Sequence, residues 1–366
     1  MSRSRRIAMT ALALAAGALP VRAAEKLSAG QEFVYTGTLE QRQAQTNMPA
    51  VTYRAPVKLS ALVTEADPAK GYTVIMMPEI RPQKPPSPAD SLPYANVSIE
   101  RFRPDLNRAP SPVRPPRPLL GGPLSPLLWN RPIPFYAYPL GRLADLRVGQ
   151  SWETGEPLVL PGIEFPEVVF TVVGETKVNG RNCVRIEKKP KLPFVKTETG
   201  DSSVVLTDYA GSLCVDRETG LTVSDEWHAS VLYTAGKIQA RVDAGAALKL
   251  KETRQISAGE VASRVKQAEA FSRVEEAVFD AGPKADHKQR VEAAEQAITR
   301  FRRDYPASPY APALATIAAY LEPEARRLAL KGGPAPPFRL PSLAGQEQTL
   351  AAYRGKLILL CFFASW

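Results

Sequence analysis

Between residues 31 and 256 apolar side chains recur at every second position in short runs. Phe33 and Tyr35 sit in the first, Val51, Tyr53, Val57, Leu59 and Leu62 in the second, and residues 72–77 form a third. A period of two marks strands with one face buried. Residues 168–173 lead through Val178-Asn179-Gly180 to Cys183-Val184-Arg185-Ile186. Asn-Gly between two such runs predicts a tight hairpin, because Gly accepts positive φ without steric penalty. Residues 204–206, 213–215 and 221–223 continue the pattern, with Arg217-Glu218-Thr219-Gly220 as a turn between the last two. Residues 227–233, and 248–256 with alternating Lys249 and Lys251, complete it. The pattern predicts an antiparallel β-rich domain with one wet face. Gly30-Gln31-Glu32-Phe33 and Gly149-Gln150-Ser151-Trp152 both fall where a strand begins, which suggests a duplicated β unit.

After Ser257 the period changes. Val261, Val265, Ala268, Phe271, Val274 and Val278 recur at three- and four-residue steps, as on one helix face, until Gly282-Pro283. A second helix is expected over residues 285–305, with Ala293, Ala297 and Phe301 on one side, and a third from Tyr310 with Leu314, Ile317 and Leu321. The phrase Ala293, Ala297, Phe301, Tyr305-Pro306, Ser308, Tyr310-Ala311 resembles a tetratricopeptide-like hairpin. A single such unit reads as a helical spacer or docking surface, since a repeat array needs about three units to stand alone.

With 366 residues, 44% of them hydrophobic, the chain has room for two or three domains and a sizeable core. The β pattern is interrupted over residues 78–139, which hold 17 of the 35 Pro. Pro fixes φ and donates nothing to a sheet ladder, so an irregular, polyproline-like insertion is expected there. The net charge of +10 is unevenly placed: residues 1–24 hold four Arg and no acid, leaving +6, and residues 81–147 carry ten Lys/Arg against four Asp/Glu. The basic excess is local, so no nucleic-acid partner is expected. Arg3, Arg5 and Arg6 precede an apolar run over residues 7–19, and Val21-Arg22-Ala23-Ala24 follows. That order is a secretory signal peptide, too short to span a bilayer permanently. The chain is therefore expected to be exported to the periplasm or cell envelope, with no integral membrane segment after cleavage.

Three Cys, at 183, 214 and 361, and two His, at 228 and 287, leave little for a metal site or a His-based triad, and no metal or cofactor is expected. In an oxidising compartment Cys183 and Cys214 are candidates for a structural disulfide. Closing a loop of about 30 residues is worth roughly 3–4 kcal/mol on the chain-entropy model. The alternative is two buried thiols.

The C-terminal stretch reads Gly332-Gly333-Pro334-Ala335-Pro336-Pro337-Phe338, then Gly345, Leu350 and Tyr353-Arg354-Gly355-Lys356, and ends in an apolar run over 357–363 and Ala364-Ser365-Trp366. Ala-Pro-x-Phe is an extended lead-in, Gly345 a hairpin-like turn and 350–353 a single helical turn. An apolar run of that length suggests a strand buried on both faces, as at the centre of an α/β sheet. The ordered set resembles the opening of thioredoxin-like thiol–disulfide oxidoreductases of the TlpA type, within the redoxin and AhpC/TSA group. The resemblance implies a Cys-x-x-Cys directly after Trp366, where the sequence ends, so no catalytic residue is present. Cys361 is expected to be a buried, inert thiol in the strand.

The expected fold class is thus α+β. An antiparallel β-rich domain (25–257, with the insertion 78–139) follows the signal peptide (1–24). A tetratricopeptide-like helical spacer (258–330) and the start of a thioredoxin-like α/β domain (331–366) come after it. The resemblance implies an exported thiol–disulfide oxidoreductase in the complete form, inactive as this chain, with protein thiols or disulfides or an upstream reductant as partners. Two other readings stand beside it: a peroxiredoxin-like antioxidant redoxin, and a non-enzymatic envelope binding or scaffold protein.

Overall fold

The structure, a computed structural model, describes residues 27–46, 48–67, 71–81, 94–102, 111–114, 146–155, 167–192, 195–199, 201–279, 287–330, 333–342, 344–356 and 358. The expected signal peptide, much of the Pro-rich stretch, Cys361 and Trp366 lie outside these residues.

Thirteen strands form one antiparallel sheet. The first half comprises β1 (Gln31–Gln45), β2 (Val51–Asp67), β3 (Gly71–Ile80), β4 (Tyr94–Ala95), β5 (Ser98–Phe102) and β6 (Ser111–Arg114). The second comprises β7 (Ser151–Gly155), β8 (Glu167–Val178), β9 (Arg181–Pro190), β10 (Val195–Thr199), β11 (Ser202–Asp216), β12 (Thr222–Ala235) and β13 (Ile238–Gln255). The spatial order is β6-β5-β3-β2-β1-β13-β12-β11-β9-β8-β7, with β4 on β3 and β10 on β11. The halves join where β1 pairs with β13, from Gln31↔Gln255 to Gln45↔Ala240. Three short strands therefore fall within the Pro-rich stretch, at and beyond the edge of β3, where Pro is tolerated.

Turn chemistry fixes the hairpins. Asn179 and Gly180 both have positive φ, 51° and 80°, and join β8 to β9. Asp216 Oδ1 accepts the Glu218 N–H at 2.8 Å, and Gly220 has φ 71°, which shapes the β11–β12 turn. The two Gly-Gln phrases share one geometry. Gly30 and Gly149 have φ 89° and 90° and donate their N–H to Val63 O and Val172 O, each at 2.8 Å. Gln31 Oε1 accepts from Ser28 N, and Gln150 Oε1 from Arg147 N.

Alternation sorts each strand's side chains onto two faces. The inner face carries one buried cluster with contributions from both halves, including Phe33, Leu59, Met76, Phe170, Ile186 and Leu213. Among the described residues that cluster contains none from a helix. The sheet curls toward this face: Tyr35 Oη on β1 donates to Thr222 O on β12 at 2.8 Å, reaching past β13. On a flat sheet two strand spacings are roughly 9.5 Å, beyond a tyrosine's reach.

Three helices pack on the opposite face of β3 and β4. They are α1 (Ala258–Phe279), α2 (His287–Asp304) and α3 (Ala311–Leu330). Ser257 caps α1 by accepting the Glu260 N–H at 3.2 Å. Phe271 and Phe301 meet edge to face at 6.2 Å, and Ala268, Ala294 and Ala313 let the helices approach. This second core closes on Ile75, Met77, Ala95 and Val97 of the sheet.

The expected fold class is corrected here. The described chain is mostly one large antiparallel sheet with a few helices, not a β domain followed by a thioredoxin-like α/β domain. Residues 333–356 form a two-stranded antiparallel ribbon, β14 (Arg339–Pro341) and β15 (Glu347–Thr349), then a 3-10 turn over Leu350–Tyr353. Gly345, at φ 75°, closes the ribbon locally, and none of its described residues is buried. An α/β sheet needs parallel strands joined by crossovers, whereas every strand pair among the described residues is antiparallel.

Candidate functional site

The outer face of the sheet beneath the helices forms a cleft, and strand register dictates its floor. One row across β13, β1, β2 and β3 reads Arg254, Glu32, Leu62, Ile75. The next, two residues along, reads Glu252, Val34, Ser60, Met77. The third reads Lys249, Thr36, Lys58, Glu79. Val34, Leu62, Ile75 and Met77 form an apolar patch over the first two rows, with charges along β13 and at Glu32, Lys58 and Glu79 around it. The roof is Pro309, Tyr310 and Pro312, at and before the start of α3, with Arg264 of α1 alongside. Tyr310 donates its N–H to Ser308 Oγ at 3.2 Å and its hydroxyl to Arg264 O at 3.4 Å. Burial pushes the Tyr310 hydroxyl pKa well up, against the opposing charge of Arg264.

The cleft, open to solvent on one side, holds about 200 Å³. A cavity of roughly 150 Å³ accommodates a benzene ring, so one ring or a short alkyl segment fits. The rim cations have partners. Arg254 forks onto Glu252 at 2.5 and 2.8 Å, and these hydrogen bonds hold the Glu252 carboxyl below its ordinary value and Arg254 above it. Arg264 meets Glu260 at 3.2 Å, and Arg81 Nε donates to Glu79 at 2.6 Å. Glu32 differs. Its side chain is only 9% exposed, and its one ion pair is a 3.7 Å approach from Arg254 Nη1.

A second polar feature lies on the inner face. Lys188 Nζ on β9 is 2.8 Å from Asp225 Oδ1 on β12, with side chains 0% and 4% exposed. Lys188 reaches across β11 at Gly211, its register partner. A third is an open trough of about 440 Å³ on the outer face of β1, β13 and β12. Gly245 and Ala247 line it, beside Arg42, His228 and Asp243. His228 and Asp208 lie 3.2 Å apart there. Burial pushes the Asp243 carboxyl pKa up, but hydrogen bonds from Ser230 and Arg241 and the charges of Arg241 and Arg42 bring it below its ordinary value.

Of the residues singled out from the sequence, Cys183 and Cys214 are free thiols on neighbouring strands β9 and β11. Cys183 pairs in register with Asp216 and Cys214 with Arg185, so they are diagonal neighbours on one face. Diagonal Cα atoms on adjacent strands sit roughly 7–8 Å apart, near the upper end of the disulfide range. Burial, with smaller contributions from Asp216 and Cys214, pushes the Cys183 thiol up to about 11. No cluster of His, Cys, Asp and Glu that could hold a metal occurs among the described residues. Sequence reading passed over Glu32, Arg254, Arg264 and the Lys188–Asp225 pair, because each gains meaning only from register between distant strands or from helix docking.

No family model matches the chain, and no curated protein matches it. Among solved structures it is similar to lipovitellin, described for its lipid–protein interactions, at 10% identity and a TM-score of 0.26 over 80% of this chain and 36% of that one. It is also similar to a LolA superfamily protein from Nitrosomonas europaea, at 10% identity and a TM-score of 0.16 over 64% of this chain and 92% of that one. The chain thus spans about a third of the lipovitellin chain. Neither structure is a thioredoxin-like redoxin; the thioredoxin-like description of the fold is corrected on the sheet topology above. No helix among the described residues is long and apolar enough to cross a membrane.

Proposed function

We propose that the chain is a non-enzymatic binding protein of the cell envelope, periplasmic in location, that holds an apolar or amphipathic ligand in the cleft between sheet and helices. The observation that carries this is the floor. Val34, Leu62, Ile75 and Met77 are contiguous across three strands and line the cleft, Ile75 and Met77 at the margin of the core under the helices. Apolar surface left against a cavity gains free energy when a ligand displaces water from it, at roughly 25 cal/mol per Å². Charged groups flank the apolar patch, Glu32 beside Leu62 and Lys58 beyond Ser60, where they orient a ligand. Among the described residues the floor hydroxyl of Ser60 makes no hydrogen bond to a carboxylate or imidazole, which favours holding over catalysis.

The neutral apolar dye Nile red tests the reading. It should bind with saturable fluorescence enhancement. Ser60→Trp, which places a large ring in the middle row of the floor, should weaken binding at least about tenfold while the circular dichroism spectrum is unchanged. Absence of saturable binding, or equal affinity in the two proteins, overturns it.

A further inference from the structure

We propose that this cleft selects ligands bearing an N–H cation, an ammonium or related group, with Glu32 as the residue that reads it. The inference rests on the binding reading above and concerns the class of ligand. Glu32 lines the cavity and its side chain is nine-tenths buried. It accepts no hydrogen bond among the described residues. Its ion-pair partner among the described residues is Arg254, whose Nη1 at 3.7 Å lies beyond hydrogen-bonding distance while the Glu252 fork holds the guanidinium. A carboxylate nine-tenths buried at the cavity wall, with no donor on it, gains a charge-assisted hydrogen bond from any N–H cation that reaches it. The cavity it lines is the route by which a donor can arrive.

The competing charges do not cancel this preference. Arg264 is paired with Glu260, and Arg81 with Glu79. Lys58 stands in the third row of the lattice, opposite Glu79. Glu32 is in the first, four residues away along β1 from Thr36, the register partner of Lys58. That separation is roughly 13 Å at 3.3 Å per residue. A cation at Glu32 therefore places an attached alkyl or aromatic body over Val34, Leu62 and Ile75, between the two ends. Quaternary ammonium groups, which cannot donate, are disfavoured relative to primary ones.

The test is displacement of Nile red by a matched series: octylammonium, octyltrimethylammonium, octanol and octanoate. Octylammonium should bind about tenfold or more tighter than octanol, about 1.4 kcal/mol by the tenfold constant, and octanoate more weakly still. In Glu32→Gln the ratio of octylammonium to octanol affinity should shrink to within about twofold. Glu32→Asp, which keeps the charge but withdraws it by one methylene, should lie between and covers the case in which the amide variant misfolds. If Nile red does not bind, the binding reading itself falls. If Nile red and octanol bind but octylammonium is no tighter, or if its preference survives in Glu32→Gln, the cleft binds ligands and this inference falls.

Discussion

Lys188 and Asp225 meet across a strand that offers no side chain between them. Gly211 makes this possible: a Cβ there would lie 2.6 Å from Glu226 O and 2.7 Å from Lys188 Cε. Gly211→Ala should lower unfolding free energy by about 1–3 kcal/mol, as overpacking does. Gly174→Ala, with nothing within 4 Å of its added methyl, should stay within about 0.5 kcal/mol. Urea denaturation of the two variants gives the comparison, and equal effects would refute the role assigned to Gly211. Asp225→Asn strips the buried ammonium of its charge partner and should cost about 3–5 kcal/mol. Lys188→Met combined with Asp225→Leu should recover most of that, since replacing both ions by apolar groups removes the uncompensated charge. None of this was legible from Lys188-Lys189, which reads as a polar end to a strand; only the pairing of β9, β11 and β12 puts Lys188 inside. Cys183, by contrast, sits in a recognisable strand phrase, and its chemistry follows from burial. With its thiol pushed up to about 11, little thiolate exists near pH 8, so iodoacetamide should alkylate the half-buried Cys214 well before Cys183. As folding holds the Cys183 pKa above its ordinary value of 9.0, its contribution is present below pH 9 and is lost as pH rises from there toward about 11.

At the scale of elements, local signals were legible and docking was not. Asn179-Gly180, the shift of period after Ser257 and the paired Gly-Gln phrases each depend on a few adjacent residues, and each corresponds to a turn, a helix start or a strand start. The Pro-rich stretch hid three strands, because Pro lowers strand propensity without forbidding an edge. The C-terminal stretch misled for a related reason: an Ala-Pro-x-Phe lead-in with a Gly turn also suits an isolated ribbon, and no local feature says whether partner strands exist. α3 sits on the sheet through apolar packing against Ile75 and Met77 and through a buried bond, Ala95 N–H to Thr316 Oγ at 3.0 Å. Thr316→Val keeps the shape and removes the acceptor. It should cost about 1–3 kcal/mol for the orphaned donor and speed hydrogen exchange at Ala95 while leaving α1 protected. Unchanged exchange at Ala95 would show that the bond does not anchor the helix.

Over the whole molecule, β3 is the wall between two cores. Met76 faces the sheet's inner cluster and Met77 the helical one, and both are buried. An uninterrupted apolar run such as Val74-Ile75-Met76-Met77 reads from sequence only as a strand covered on both sides; what covers each side depends on partners far along the chain. Because the two clusters share this strand, the sheet and the helices should lose structure together. Met76→Ala empties volume only on the inner side and should cost about 2–5 kcal/mol. If β3 couples the cores, native-state hydrogen exchange in this variant accelerates by a similar factor in peptides from α2 and from β12, although neither touches position 76 through a common helix. Met77→Ala carries the complementary signature, since it enlarges the cleft: a comparable loss of stability together with altered Nile red affinity, whereas Met76→Ala should leave that affinity within about twofold. Exchange that speeds in β12 alone after Met76→Ala would mean that the helices are held to the sheet without drawing stability from it, and the cleft would then sit between two independently opening bodies.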